Sequence, residues 1–184
     1  MLREALLLVP SATAPLDWPR QIHDIFRRER IAQVSYVPDA GHASLIERCR
    51  ADAAIRDVVL TTEEEGVALA AGAWLGGARS ALLMQSSGVG NCVNMLAMIR
   101  SCGFPLLMLV TMRGEHDEFN PWQVPMGTTT GDVLRLCGVD VRRAEVAGEV
   151  AATVASACEH AFANETAVAV LLAQRLIGPK QWVR

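Results

Sequence analysis

What most narrows the fold of this chain is an alternation. Short apolar runs take turns with stretches of helical periodicity. Residues 31–37 ("IAQVSYV"), 55–60 ("IRDVVL"), 80–85 ("SALLMQ"), 104–112 ("FPLLMLVTM"), 139–144 and 167–173 read as strands. Between and around them, 17–30, 43–53, 63–76, 89–102, 130–137 and 149–163 read as helices. Strands that are apolar throughout need cover on both faces, and the intervening helices can supply it. The expected fold is therefore α/β: a mainly parallel six-stranded sheet with helices on both faces. A chain of 184 residues is long enough for one such domain with a full core. Residues 1–15 are expected to be an N-terminal extension, and 16–184 the domain.

Composition excludes several function classes. The chain is 51% hydrophobic and 20% charged with a net charge of -3, so it is globular rather than disordered. The nearest approach to a basic cluster, Arg27, Arg28 and Arg30, is interrupted by Glu29, which leaves nucleic-acid binding without support. Five cysteines, an odd number with no C-x-x-C, argue against a disulfide framework and for a reducing compartment. The four histidines lack metal-ligand spacing, and no metal site is expected in this chain. In "MLREALLLVPSATA" the apolar run is too brief for a signal-peptide core, and Glu4 interrupts the approach to it. No stretch is long enough to span a bilayer. The expected location is the cytoplasm, with no membrane contact.

If the sheet is parallel, four polar segments gather at one edge, where ligands of such sheets bind. They are "PDAGH" (38–42), "TTEEE" (61–65), "SSGVGN" (86–91) and a loop from Arg113 to about Thr129 that is long for a connector. Three glutamates, Glu63, Glu64 and Glu65, head a helix with no polar face. That helix is expected to be buried nearly all round. Capping is one reading: Thr61 or Thr62 caps the helix and the first-turn acids complement its dipole. The other is a buried acid with a chemical task. Glu63 lines up with Val67, Ala70 and Trp74 at helical spacing. A carboxyl facing buried surface is costly when charged and unpaired, and proton-transfer sites use such carboxyls. "SSGVGN" could be a tight turn or a ligand contact in which Ser86, Ser87 and Asn91 make hydrogen bonds. It matches neither the dinucleotide nor the Walker fingerprint, since Val93 stands where a third glycine would be needed. In the long loop Arg113 could clamp an anion and His116 could move protons, although a solvated loop explains His116 as well.

Taken in order, these segments resemble a known family. T-x-E heads an E-x8-G helix from Glu63 to Gly72, followed by "MQSSGVGNCVN", "FPLLMLVTMRGE" and "QVPMG". This succession resembles the pyrimidine-binding domain of thiamine-diphosphate enzymes, and within them the sulfopyruvate and phosphonopyruvate decarboxylases. The likeness runs from about Asp17 to the C-terminus. It implies that Glu63 is the cofactor glutamate, which hydrogen-bonds the aminopyrimidine ring nitrogen and so drives proton removal from the thiazolium carbon. Glu64 is the fallback if the helix register slips by one. It implies that Pro38 and Asp39 form a loop over the cofactor and substrate. It places Ser86, Ser87, Gly88 and Val89 against the aminopyrimidine, and Gln123 where several family decarboxylases carry a histidine. Arg113 is the residue expected to meet a sulfonate, phosphonate or carboxylate. The Gly-Asp-Gly motif that holds the diphosphate and its magnesium in this family is not present, for Gly131-Asp132 is followed by Val133.

The resemblance thus implies half an active site. A separate β subunit would hold the diphosphate and magnesium, the substrate would be a small 2-oxo acid, and the chain is expected to self-associate. Two departures stand out: residues 1–15 have no counterpart, and "SSGVG" lacks the proline of the commonest family form. Two other readings compete, a non-catalytic binding or regulatory module of the same fold and a stand-alone nucleotide-binding α/β protein.

Overall fold

A computed structural model describes residues 16–178. The expected extension, residues 1–15, lies outside the described residues, as does the reading of its start, and so do residues 179–184. The chain opens with helix α1 (Trp18–Arg28), capped by Asp17, whose Oδ1 accepts the Arg20 amide N–H at 3.0 Å. Its apolar residues Trp18, Ile22, Ile25 and Phe26 are all buried. There follow β1 (Ile31–Tyr36), α2 (Ala43–Ala51), β2 (Arg56–Val59), α3 (Glu64–Leu75) and β3 (Arg79–Gln85). The chain continues with α4 (Ser86–Cys92), α5 (Ala97–Cys102), β4 (Leu106–Thr111) and α6 (Val124–Leu136). It ends with β5 (Asp140–Ala144), α7 (Ala147–Ala163), β6 (Ala167–Leu172) and α8 (Gln174–Ile177).

The six strands form one sheet in the order β2-β1-β3-β4-β6-β5, and every pairing is parallel. Alternate strand residues feed two separate cores. Ala81, Leu83, Leu107, Leu109, Val168 and Val170 pack with α1, α2 and α7. Leu82, Met84, Leu106, Met108, Ala169 and Leu171 pack with α3, α4, α5 and α6. This double cover is why β4 and β6 are apolar at every position but the last of β4, and buried at all of them. The edge strands carry the charges instead, Arg56 and Asp57 on β2 and Asp140, Arg142 and Arg143 on β5, which discourages further pairing.

Three local expectations differ from what is seen. The helix expected over 89–102 is two helices, α4 starting directly from the strand at Ser86 and α5 ending at Gly103, which is left-handed with φ 61°. The loop expected to run to Thr129 gives way to α6 at Val124, because Pro125 falls in the first turn, where a missing N–H has no helical partner to lose. Helix α3 is not buried all round: Val67 and Ala70 are buried, whereas Leu75 is 88% exposed.

The sheet order reverses between β1 and β3. After β1 the chain steps outward to β2, then returns to the other side of β1 to form β3. The crevice beyond the carboxyl ends of β1 and β3 is where a ligand site is expected in such sheets. Because all strands are parallel, the segments after β1, β2, β3 and β4 do share that edge.

Candidate functional site

Of the three glutamates after β2, Glu63 is the one withdrawn from water, at 6% exposure. It occupies the N-cap of α3 with helical backbone angles, and its side chain caps nothing. Neither threonine caps the helix through its hydroxyl; the acids do the local work. Glu65 turns back to accept the Thr61 amide N–H at 2.9 Å, and Glu64 accepts the Thr62 hydroxyl. The Thr62 hydroxyl and its own amide N–H hold the Glu64 carboxyl below the usual carboxylate range. Capping therefore accounts for Glu64 and Glu65 and leaves Glu63 unexplained.

The Glu63 side chain reaches toward α4. Asn91 Nδ2 donates to its Oε2 at 2.8 Å. A Cβ built on Gly88 would lie 2.4 Å from Glu63 Oε1 and 2.5 Å from its Cδ, so the carboxyl occupies space that only a glycine leaves open. Ser86 fixes the start of α4: its Oγ accepts the Arg113 amide N–H at 3.1 Å, and its carbonyl accepts the Thr130 hydroxyl at 3.3 Å. Ser87 is half-buried beside it. The Val89 side chain is fully buried in the core. A ligand at this turn would therefore meet the Val89 backbone.

Asp39 follows β1. Its Oδ2 accepts the Thr111 hydroxyl at 2.6 Å, and Thr111 also lies 3.3 Å from the Met84 carbonyl, so the loop after β1 is tied across β3 to the end of β4. Pro38 is exposed beside it, and a cleft of about 380 Å³ lined by Tyr36, Pro38, Asp39, Ile46 and Val59 opens there. His42, 1% exposed, donates from Nε2 to the Leu109 carbonyl at 3.0 Å, while its Nδ1 has no hydrogen-bond partner among the described residues. Burial pushes the His42 imidazole below its usual pKa, against the pull of Asp39 and of the backbone carbonyls.

The loop after β4 is organised around Glu118. Arg113 grips its carboxylate at two points, Nε to Oε2 at 3.0 Å and Nη2 to Oε1 at 2.7 Å. The amide N–H groups of Gly114 and Asn120 and the Gln174 side-chain amide donate to it as well. Burial alone would push this carboxyl up, but Arg113 and the amide donors outweigh it and hold it at about 2. The expected anion clamp is thus already occupied within its own chain. Gln123, 5% exposed with no partner for Oε1 among the described residues, is held by backbone close approach: a Cβ on Gly114 (φ 76°) would lie 2.5 Å from its carbonyl oxygen. His116 is exposed; its backbone N–H donates to Gln174 Oε1 at 3.0 Å.

Of the residues expected at the site, the structure brings Glu63 and Gly88 into contact and joins Ser86 to Arg113. Asp39 is bonded to Thr111 and makes no hydrogen bond to Glu63. His42 lay in the "PDAGH" segment without a role of its own, and Thr111, Glu118 and Gln174 were not singled out by sequence; the partners of His42, Thr111 and Gln174 lie on different elements, and Glu118 pairs within its own loop. Asn91 carried a readable signal: three residues after Gly88 on one helix, it falls on the same face.

No protein-family model matches the chain. Among curated proteins, it is 41% identical over 137 residues to the sulfopyruvate decarboxylase subunit alpha of Methanothermobacter thermautotrophicus, which covers 74% of this chain and 83% of that one. It is 32% identical over 140 residues to the same subunit of Methanococcus maripaludis, covering 76% of this chain and 84% of that one. It is 39% identical over 114 residues to phosphonopyruvate decarboxylase of Streptomyces viridochromogenes, covering 60% of this chain and 28% of the longer relative. Among solved structures, a 2-oxoglutarate:ferredoxin oxidoreductase from Magnetococcus marinus shares the fold, with a TM-score of 0.67 at 13% identity over 85% of this chain and 28% of that one. With the α/β sheet and its loop edge in place, this level of identity settles the kinship: the chain belongs to the family of sulfopyruvate decarboxylase alpha subunits.

Proposed function

We propose that this chain is the α subunit of a two-subunit, thiamine-diphosphate-dependent decarboxylase of a sulfopyruvate- or phosphonopyruvate-like 2-oxo acid. The observation that carries the reading is the buried Glu63 carboxyl, laid over Gly88 and held by Asn91, in a chain 41% identical to a named α subunit. These residues fit the aminopyrimidine half of the cofactor. The Glu63 carboxyl is held on one oxygen by the neutral Asn91 amide, which leaves its other oxygen for a ring nitrogen to meet. The bound cofactor supplies the electron sink into which the carboxylate carbon's bonding pair passes as carbon dioxide leaves.

The chain's own residues would divide the remaining work. Glu63 would hold and move the proton at the ring nitrogen. Ser86, Ser87, Gly88 and the Val89 backbone would flank the ring, and Pro38 and Asp39 would close one side of the site. Gln123 would face the substrate from the loop after β4. Arg113, with its fork on Glu118, is assigned to stiffening that loop rather than to direct anion contact. The diphosphate and its magnesium fall to a partner β subunit. Gly131 and Asp132 sit inside α6, where Asp132 pairs with Arg135 at 2.9 Å, and the described residues hold no group of three or more candidate metal ligands. Five free cysteines suit a reducing cytoplasm, and no described helix is long and apolar enough to cross a membrane. Self-association of the assembled pairs completes the proposal.

The test is reconstitution with a Gly-Asp-Gly-bearing partner. The chain alone should be inactive, the pair should release carbon dioxide from sulfopyruvate, and Glu63→Gln should lower kcat by at least about 100-fold. Full activity in the Glu63→Gln pair overturns the assignment.

A further inference from the structure

We infer that Asn91 is a positioning residue for Glu63, and that Gly88 is the notch that lets the two meet. The inference rests on the reading of Glu63 as the proton-relay acid. Gly88 and Asn91 are three apart on α4 and share a face, which is turned to Glu63. Val89 and Cys92, on the same short helix, are fully buried in the core and anchor it there, with the Cys92 thiol close enough to feel the Glu63 charge. Ser86 anchors its start through Arg113 and Thr130. Asn91 is thereby presented from a fixed scaffold although its own side chain lies at the surface.

The chemistry follows from the donor. A carboxyl group carries at most one proton on two oxygens. Asn91 Nδ2 sits 2.8 Å from Oε2, which makes Oε2 the acceptor and leaves the exchangeable proton to Oε1, the oxygen lying over Gly88. The donor is also neutral. At the same sheet edge a guanidinium holds Glu118 ionised, and a cation in place of Asn91 would do the same to Glu63. An amide fixes the geometry without adding a charge beside the carboxyl. Gly88 is needed because any side chain there would push the carboxyl off this position: a Cβ would also come within 2.6 Å of Glu63 Cγ.

Two readouts test this. In the reconstituted enzyme, Asn91→Ala should lower kcat by about 10- to 100-fold with KM for the oxo acid within about twofold. Asn91→Asp should be worse than Asn91→Ala at neutral pH and regain activity as pH falls, because the introduced carboxyl donates only when protonated. Gly88→Ala should fall at least as far as Asn91→Ala. In the unloaded, isotope-labelled chain, the Asn91 side-chain amide resonance should move on Glu63→Ala, with thermal unfolding confirming that each variant folds. An unchanged kcat in Asn91→Ala, parallel pH profiles for the Asp and Ala variants, or an amide resonance indifferent to Glu63→Ala would each overturn the positioning role. If Glu63→Gln is inactive while Asn91→Ala and Gly88→Ala are not, only this inference fails. If Glu63→Gln is active, the functional reading fails with it.

Discussion

Arg113 and Glu118, five residues apart, close the loop after β4 with a two-point ion pair in which the side chains are 11% and 3% exposed. Three further N–H donors converge on the same carboxylate, from Gly114, Asn120 and Gln174. The pair therefore acts as the fastening of the segment that presents Gln123.

That fastening has a pH dependence with a definite sign. The Glu118 carboxyl is held at about 2, below its unfolded value. Its contribution is complete above about pH 5 and is lost as pH falls toward 2. Glu118→Gln should lose about 3 kcal/mol of stability at pH 7. In urea titrations at stepped pH, the gap between wild type and variant should narrow steadily below pH 5. A gap that is constant with pH would remove the ion pair from the account.

His42 should act in the same direction for a different reason. Burial depresses its pKa, so the unfolded chain binds a proton more readily than the folded one, and stability declines as pH falls through the ordinary histidine range. His42→Asn should flatten the loss of stability between about pH 7 and 5 relative to wild type, in thermal melts at fixed ionic strength.

Two glycines of the α3 helix should respond oppositely to alanine. A Cβ on Gly66 would lie 2.4 Å from Leu82 Cδ1 and 3.1 Å from Leu60 Cδ1, inside a full core. Overpacking there should cost about 1–3 kcal/mol. A Cβ on Gly72 meets nothing within 4 Å, so Gly72→Ala should gain about 0.5–1 kcal/mol from helix propensity in the isolated chain. Denaturant midpoints of the two variants check both signs.

The cysteines should separate by burial. Desolvation pushes the thiols of Cys49, Cys92 and Cys158 up to about 12, and all three are buried. A thiol reagent at pH 8 should label the exposed Cys102 first, Cys137 more slowly, and the other three only after unfolding. Rapid labelling of Cys92 in the folded chain would show that the α4 segment opens.

Much of the fold was open to reading because burial leaves a local mark. A strand covered on both faces cannot alternate, so "FPLLMLVTM" and "AVAVLL" announced β4 and β6 to within two residues. Glu63 was selected by the family resemblance, nine residues before Gly72, and its stripe through Val67 and Ala70 is the side of α3 that is buried. The boundaries that failed, at Ser86 and Val124, are those where strand or loop enters a helix through small residues or proline, and tertiary contacts choose the first turn there.

The amino-acid sequence by itself determined the six strands and most of the helices between them, since each depends on spacing along a single segment, while the choice of Glu63 among three glutamates came from the family resemblance. Only the tertiary structure decided the strand order, and with it the partners: Asn91 on Glu63, Thr111 on Asp39, Glu118 on Arg113. The Asn91 and Thr111 bonds join residues 28 and 72 positions apart, and they exist because β3 returns beside β1 rather than beside β2. The Arg113–Glu118 bond is local, and Gln174, carried in just after β6, adds a donor to the same carboxylate. No local pattern encodes which strand lies next to which. That choice is made by packing the two faces of the sheet together, and the chemistry of the edge follows from it.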